Sequence, residues 1–198
     1  MERQTAPRAP NVTAAARDAE LVARARNRER AAEELLYRAH VASVSALAMR
    51  LLGRANDAED VVQDAFITAF SRIGQLREGG SFRAWLLRIT VHEVHRRYRR
   101  RKLLRALGLD RGTDDATLVA LGAPNLESEQ RAELAALDQA LSQLPARERI
   151  VWMLRHVEGN ELTEIASACE ASLATIKRWL ARADAHVAAH VAGEVAHV

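Results

Sequence analysis

Residues 160–187 read NELTEIASACEASLATIKRWLARADAHV, and the spacing of their apolar positions decides the fold. Leu162, Ile165 and Ala166 recur at helical spacing and stop at the short turn Cys169-Glu170-Ala171. A second helical run follows, with Leu173, Ile176, Leu180 and Ala183 on one face and Ala174, Thr175, Arg178, Ala181 and Arg182 opposite. One short helix bracing a second, whose outer face is small and basic, is the helix-turn-helix arrangement, and such a face fits the major groove of DNA. An ordinary helical hairpin with a solvated basic face has the same spacing. Glu170 stands where a glycine is common in such turns, and Trp179 flanks the outer face. Cys169 is expected to fill a core position beside the turn as a small hydrophobe.

Helical signals continue on the N-terminal side. Asn160 and Ser172 are N-cap candidates for the two short helices. Pro145 opens the helix before them, PARERIVWMLRHVEG, and Gly159 closes it. Leu134, Leu137, Leu141 and Leu144 form an apolar stripe in the helix before that, from about Glu129. Residues 103–128 hold three glycines and a proline without sustained periodicity, which reads as a flexible linker. Before the linker, apolar periodicity runs from Asp18 to Lys102, with an interruption near Asn27 and a stop at Gly53. Asp57 and Ser81 are N-cap candidates for two further helices, AEDVVQDAFITAFSRI and FRAWLLRITVHEVHRRYRRRK. The expected fold is all-α: two small helical domains joined by a flexible linker, the second a helix-turn-helix domain. Its boundaries are a disordered arm at 1–17, a first domain at 18–102, the linker at 103–128, a second domain at 129–187 and a tail at 188–198.

Composition supports a folded helical chain. Of 198 residues, 48% are hydrophobic and 28% charged, and nine glycines with four prolines are few for a turn-rich β protein. No stretch reaches the roughly 18 uncharged apolar residues of a membrane helix, so no membrane insertion is expected. The N-terminus lacks the apolar core of a signal peptide, and a lone cysteine fits a reducing cytoplasm. Catalysis finds no support: there is no Gly-rich phosphate loop and no nucleophile motif. His92 with His95, or His186 with His190, would place two imidazoles on a helix face, but no third ligand joins either pair. No metal, cofactor or catalytic residue is expected.

Charge is concentrated. Residues 83–102 hold eight Lys and Arg against one Glu, a net +7 in a chain whose total is +3. The block ends in HRRYRRRK, where arginine forks suit phosphate oxygens and Tyr98 could stack on a base. A solvated helix C-terminus also favours cations, though seven charges exceed that need. In the helix before it, Val61, Val62, Ala65, Phe66, Ala69 and Ile73 make a core stripe, while Asp60, Gln63, Asp64 and Ser71 face away with Ile67 among them. An acidic face with one exposed branched hydrophobe suits a protein partner having a basic groove and an apolar spot. The alternative is that Asp60 merely enriches the first helical turn.

Three stretches, DAEDVVQDAFITAF, SFRAWLLRITVHEVHRRYRRRK and LDQALSQLPARERIVWMLRHVEGNELTEIASACEASLATIKRWLARA, together resemble bacterial RNA polymerase sigma factors of the extracytoplasmic-function type. The resemblance runs from about Asp18 to His186, broken by the linker. It implies that the first domain binds core RNA polymerase and melts the minus-ten promoter element, while the second binds the minus-thirty-five element. It places Asp60, Gln63, Asp64 and Ile67 on the polymerase largest subunit. Gln75, Gly80, Ser81, Trp85, His92, Arg96, Arg97, Tyr98, Arg99, Arg100, Arg101 and Lys102 would meet minus-ten DNA, and Ser172, Thr175, Lys177, Arg178 and Arg182 minus-thirty-five DNA. His92 and Arg96 stand where the family often has Asn and Asp, and Trp179 where an arginine is frequent. Core RNA polymerase and promoter DNA are the implied partners, an anti-sigma factor is a further one the resemblance allows, and no cofactor is implied. The competing reading is a helix-turn-helix transcriptional regulator that acts without binding polymerase, which leaves the acidic and basic helices unexplained.

Overall fold

Helix follows helix along the chain in the computed structural model, which describes residues 12–77, 81–107 and 127–195. The first half comprises α1 (Val12–Arg26), α2 (Arg30–Leu52), α3 (Ala55–Ser71), a single 3-10 turn (Ile73–Gln75) and α4 (Phe82–Ala106). The second comprises α5 (Ser128–Gln143), α6 (Ala146–His156), α7 (Leu162–Ala168) and α8 (Leu173–Val195). No strand occurs among the described residues.

Each boundary has a local cause. Gly53 ends α2 in the left-handed region, φ 69°, where its N–H reaches the Met49 carbonyl at 2.8 Å; a side chain there would be strained. Ser81 caps α4, its hydroxyl accepting the Ala84 N–H at 3.3 Å, and Ser172 caps α8 through the Thr175 N–H at 3.2 Å. Pro145 occupies the N-cap of α6. Two expected caps differ. Arg54 takes the N-cap position of α3, with Asp57 inside the first turn. Glu161, in a reciprocal capping box with Glu164, takes that of α7, because Asn160 is buried and its N–H is already bonded to the Leu154 carbonyl at 2.9 Å.

Three boundaries also move. Residues 12–17, expected within a disordered arm, are the first turns of α1. The basic helix continues beyond Lys102 to Ala106, so the linker loses its first residues. The last helix runs on to Val195, through most of the expected tail. Most of the linker, 108–126, lies outside the described residues, as does its expected mobility.

In the first half, α1, α2 and α4 close around Leu36, Leu51, Leu52, Phe82 and Leu86, all but fully buried. In the second, Leu141, Ile150, Met153, Leu154, Ile165 and Ile176 play that part. The halves are not separate: α6 packs on α2 and α4, and α7 packs on α4. Arg50 of α2 reaches across to Glu158, its Nε donating at 2.7 Å, and the buried apolar side chains of the two halves join in one continuous cluster. This seam was not visible in the sequence pattern.

Candidate nucleic-acid interface

Two helices, α3 and α4, carry the first set of expected functional residues, and the structure turns them toward each other. Arg97 reaches Asp60 at 2.5 Å and Asp57 at 3.5 Å; Arg96 reaches Asp64 at 2.5 Å and Glu93 at 2.8 Å. Asp60 and Asp64 therefore do not stand as a free acidic face, as the helical wheel of α3 alone suggested. They neutralise two of the five arginines in the run next door. Glu93 is nearly buried, and with Val61, Asp64, Arg96, Arg97 and Arg100 it lines a recess of about 280 Å³.

The other side of α3 is apolar and open. Ile67 is 58% exposed, and Gln63 is exposed beside it. Together with Tyr37, Val41 and Met49 of α2 and Phe66 and Phe70 of α3, Ile67 lines a groove of about 690 Å³. Tyr37 packs edge-on against Phe66 with ring centroids 4.8 Å apart. The α2 wall was missed from sequence, although Tyr37, Val41, Ser45 and Met49 recur every four residues and form a second stripe on that helix.

Within the basic helix the expected DNA-facing residues sort into two groups. His92, Arg96, Arg99, Arg100 and Lys102 are exposed. Trp85 is 8% exposed and packs beside Phe82, so it forms core rather than a base-stacking surface. Tyr98 is half-buried and its hydroxyl donates to the Leu51 carbonyl, which turns the ring inward rather than toward a base. Arg101 is 8% exposed, and the Arg97 side chain is nearly covered by its carboxylates, so neither lies open for phosphate. Gln75 is exposed beside the 3-10 turn and Ser81 is exposed at its cap; Gly80 lies outside the described residues. His95 is half-buried, and burial with Arg147, Arg99 and His92 nearby pulls its imidazole down to about 4, so it is neutral at pH 7.

The helix-turn-helix is built as expected, with a strained turn. Ala171 N–H bonds the Ala166 carbonyl at 3.0 Å, and Glu170 takes φ 51°, the left-handed conformation that a glycine would adopt freely. Ile165, Ala168, Ile176 and Ala183 are buried between α7, α8 and α6. Lys177 and Arg178 are exposed on the outer face of α8, and Ser172 and Thr175 share a 2.9 Å hydroxyl contact at its start. Arg182 is drawn back to Glu148 of α6 at 2.5 Å and acts as an interhelix tie in the free protein. Trp179 carries the Arg147 guanidinium over its ring at 5.6 Å, which makes it a brace. Cys169 is half-buried, and burial pushes its thiol up to about 12, leaving it unreactive.

Among the described residues no three His, Cys, Asp or Glu side chains stand close enough to hold a metal, and no helix is long and apolar enough to cross a membrane. Comparison with known proteins assigns both halves. Residues 36–103 match the model of sigma-70 region 2, and residues 134–186 that of sigma-70 region 4. The chain is 29% identical over 180 residues to the RNA polymerase sigma-H factor of Pseudomonas aeruginosa, covering 84% of this chain and 89% of that protein. It is 30% identical over 142 residues to the ECF RNA polymerase sigma factor SigW of Bacillus subtilis, covering 69% and 76%. The solved sigma factor RpoE of Bartonella quintana, in complex with the anti-sigma factor NepR, shares the fold at a TM-score of 0.60 and 23% identity, over 78% of this chain and 92% of that one.

Proposed function

Since the chain belongs to the extracytoplasmic-function sigma factors of the sigma-70 family, we propose a residue-level division of labour for its two halves. The protein binds core RNA polymerase and directs promoter-specific transcription initiation. It works by binding rather than by catalysis, in the cytoplasm with the polymerase, for a stress or envelope-signal regulon. On this reading the region matched at 36–103, with α1 before it, engages the polymerase and minus-ten DNA, and the region matched at 134–186 engages minus-thirty-five DNA.

The observation that carries the polymerase assignment is the exposure of Ile67 at the rim of the α2–α3 groove. An exposed branched side chain beside Tyr37, Met49 and Phe70 offers an apolar spot for a partner helix, with Gln63 and Glu59 in the same groove for polar registration. Promoter DNA is served by two differently built surfaces. Arg99, Arg100 and Lys102 offer dense charge for phosphate tracking, with Gln75, Ser81 and His92 alongside for the melted strand. Lys177 and Arg178, led by Ser172 and Thr175, offer a few contacts to base edges and phosphates, and Arg182 joins them on release from Glu148. An anti-sigma factor of the kind NepR is for RpoE is the third partner of the proposal.

Run-off transcription with core RNA polymerase and promoter fragments is the test, with Ile67→Asp as the variant. The wild type should initiate at defined sites, and the variant should lose core binding in a pull-down titration without losing helix content. A variant that binds core like the wild type removes the groove from the interface. Binding to duplex promoter DNA with no measurable affinity for polymerase would instead support a regulator acting alone.

A further inference from the structure

The same carboxylates that line one side of α3 are the partners of the arginines on α4. Asp57, Asp60 and Asp64 fall at spacings of three and four, so they form one row along the helix. Arg96 and Arg97 lie opposite that row, each with a carboxylate oxygen at 2.5 Å, the position a phosphate oxygen would take against a guanidinium. Glu93, nearly buried beneath, fixes Arg96 from the other side at 2.8 Å. Ile67 follows Asp64 by three residues and Asp60 by seven, which sets it at the border between the groove and the carboxylate row, so a partner seated on the groove lies alongside that row. The outer pairs are accessible to water: the Asp60 and Asp64 side chains are 59% and 42% exposed, so an incoming cation can reach them.

We propose that Asp60 and Asp64 occupy Arg96 and Arg97 as an internal substitute for DNA phosphate, and hand them over when a basic surface of the polymerase takes the carboxylates. The free protein then binds promoter DNA with two fewer phosphate contacts than the holoenzyme. The inference rests on the reading that α3 meets polymerase and α4 meets DNA, and it goes further by making one condition the other.

The test uses the full-length protein without polymerase and a labelled single-stranded promoter oligonucleotide, followed by fluorescence anisotropy from 50 to 200 mM NaCl. The double variant Asp60→Asn/Asp64→Asn removes the outer carboxylate from each guanidinium, leaving Arg97 the longer Asp57 contact and Arg96 the Glu93 contact, so that each can turn one edge to phosphate. Each added phosphate contact on a single strand steepens the plot of log affinity against log salt by roughly 0.7, so two give roughly 1.4. The affinity ratio between the two salt concentrations should then grow about sevenfold. Each single variant should give about half the steepening, which keeps the test readable if the double variant loses helix content. Glu59→Gln, on the groove side of the same helix, controls for loss of negative charge alone and should steepen the plot far less. Adding Arg96→Ala/Arg97→Ala to the double variant should abolish the gain. An unchanged slope in the Asp variants, or an equal change in Glu59→Gln, overturns the hand-over. A separate arm measures promoter binding by holoenzyme carrying Arg96→Ala/Arg97→Ala; unchanged affinity there removes these arginines from DNA and overturns the underlying reading as well.

Discussion

Lowering the pH should weaken this protein through His95, and the size of the effect follows from where α6 places Arg147. The ring is half-buried at the seam, and burial together with Arg147, Arg99 and His92 pulls it from its ordinary 6.5 to about 4. Above pH 6.5 the imidazole is neutral in both folded and unfolded chains and contributes no pH dependence. Between 6.5 and about 4 the unfolded chain binds the proton and the folded one does not, so stability falls as pH falls. At pH 5 the linkage amounts to about 2 kcal/mol, and to about 1 kcal/mol once discounted for the part of the ring that water screens. Urea unfolding of the wild type and of His95→Gln at pH 8 and pH 5 isolates this contribution, since every other titrating group is common to both. The variant should lose about 1 kcal/mol less than the wild type over that interval. Equal losses in the two proteins would refute the argument, because His95 would then titrate alike in the folded and unfolded states.

Glu170→Gly should raise stability by about 0.5–1 kcal/mol, relief of left-handed strain exceeding the added freedom of glycine in the unfolded chain; a thermal midpoint higher by roughly 2–4 °C checks it. Tyr98→Phe should cost about 1 kcal/mol in denaturant unfolding, because the Leu51 carbonyl near the end of α2 loses its donor. Arg178→Ala should cost holoenzyme about 1–3 kcal/mol on a matched upstream element and less on a mutated one, whereas Arg100→Ala should weaken all promoters alike and flatten the salt dependence. If Arg178→Ala loses affinity equally on every sequence, it anchors phosphate and base reading lies elsewhere on α8.

Much of this architecture is legible in one dimension because amphipathic helices announce their buried faces. The stripe Val61, Val62, Ala65, Phe66 and Ala69 is buried as its spacing requires, and Ile165, Ile176 and Ala183 likewise. Ser81 and Ser172 cap because a hydroxyl one residue ahead of an apolar run has nothing better to bond. What a helical wheel cannot show is which neighbouring helix an outward face meets. Asp60 and Asp64 look solvent-bound on α3 alone, yet α4 lies within reach, and their charge is spent inside the molecule. Trp85 and Tyr98 share a helix with eight arginines and a lysine, but a helix wedged between neighbours has more than one buried face, and both aromatics take them. The groove escaped notice for a related reason. Its two walls come from helices whose exposed apolar residues, Tyr37 and Ile67, look unremarkable singly.

If the halves take the two promoter elements as proposed, the seam between them sets a condition on promoter binding that no DNA contact reveals. Promoter elements centred at minus ten and minus thirty-five lie about 85 Å apart along duplex DNA at 3.4 Å per base pair. The 21 residues between α4 and α5 extend to roughly 70–75 Å at most, which with the domains' own breadth covers that distance only if the halves have parted. In the free protein they touch, with Arg50 on Glu158 and α7 laid against α4. On the proposed division of labour, reach and contact are therefore mutually exclusive, and the population of separated molecules should multiply the affinity for a two-element promoter. A substitution such as Glu158→Gln, which loosens the Arg50 contact at the seam and touches neither proposed DNA surface, should therefore raise affinity for a two-element promoter.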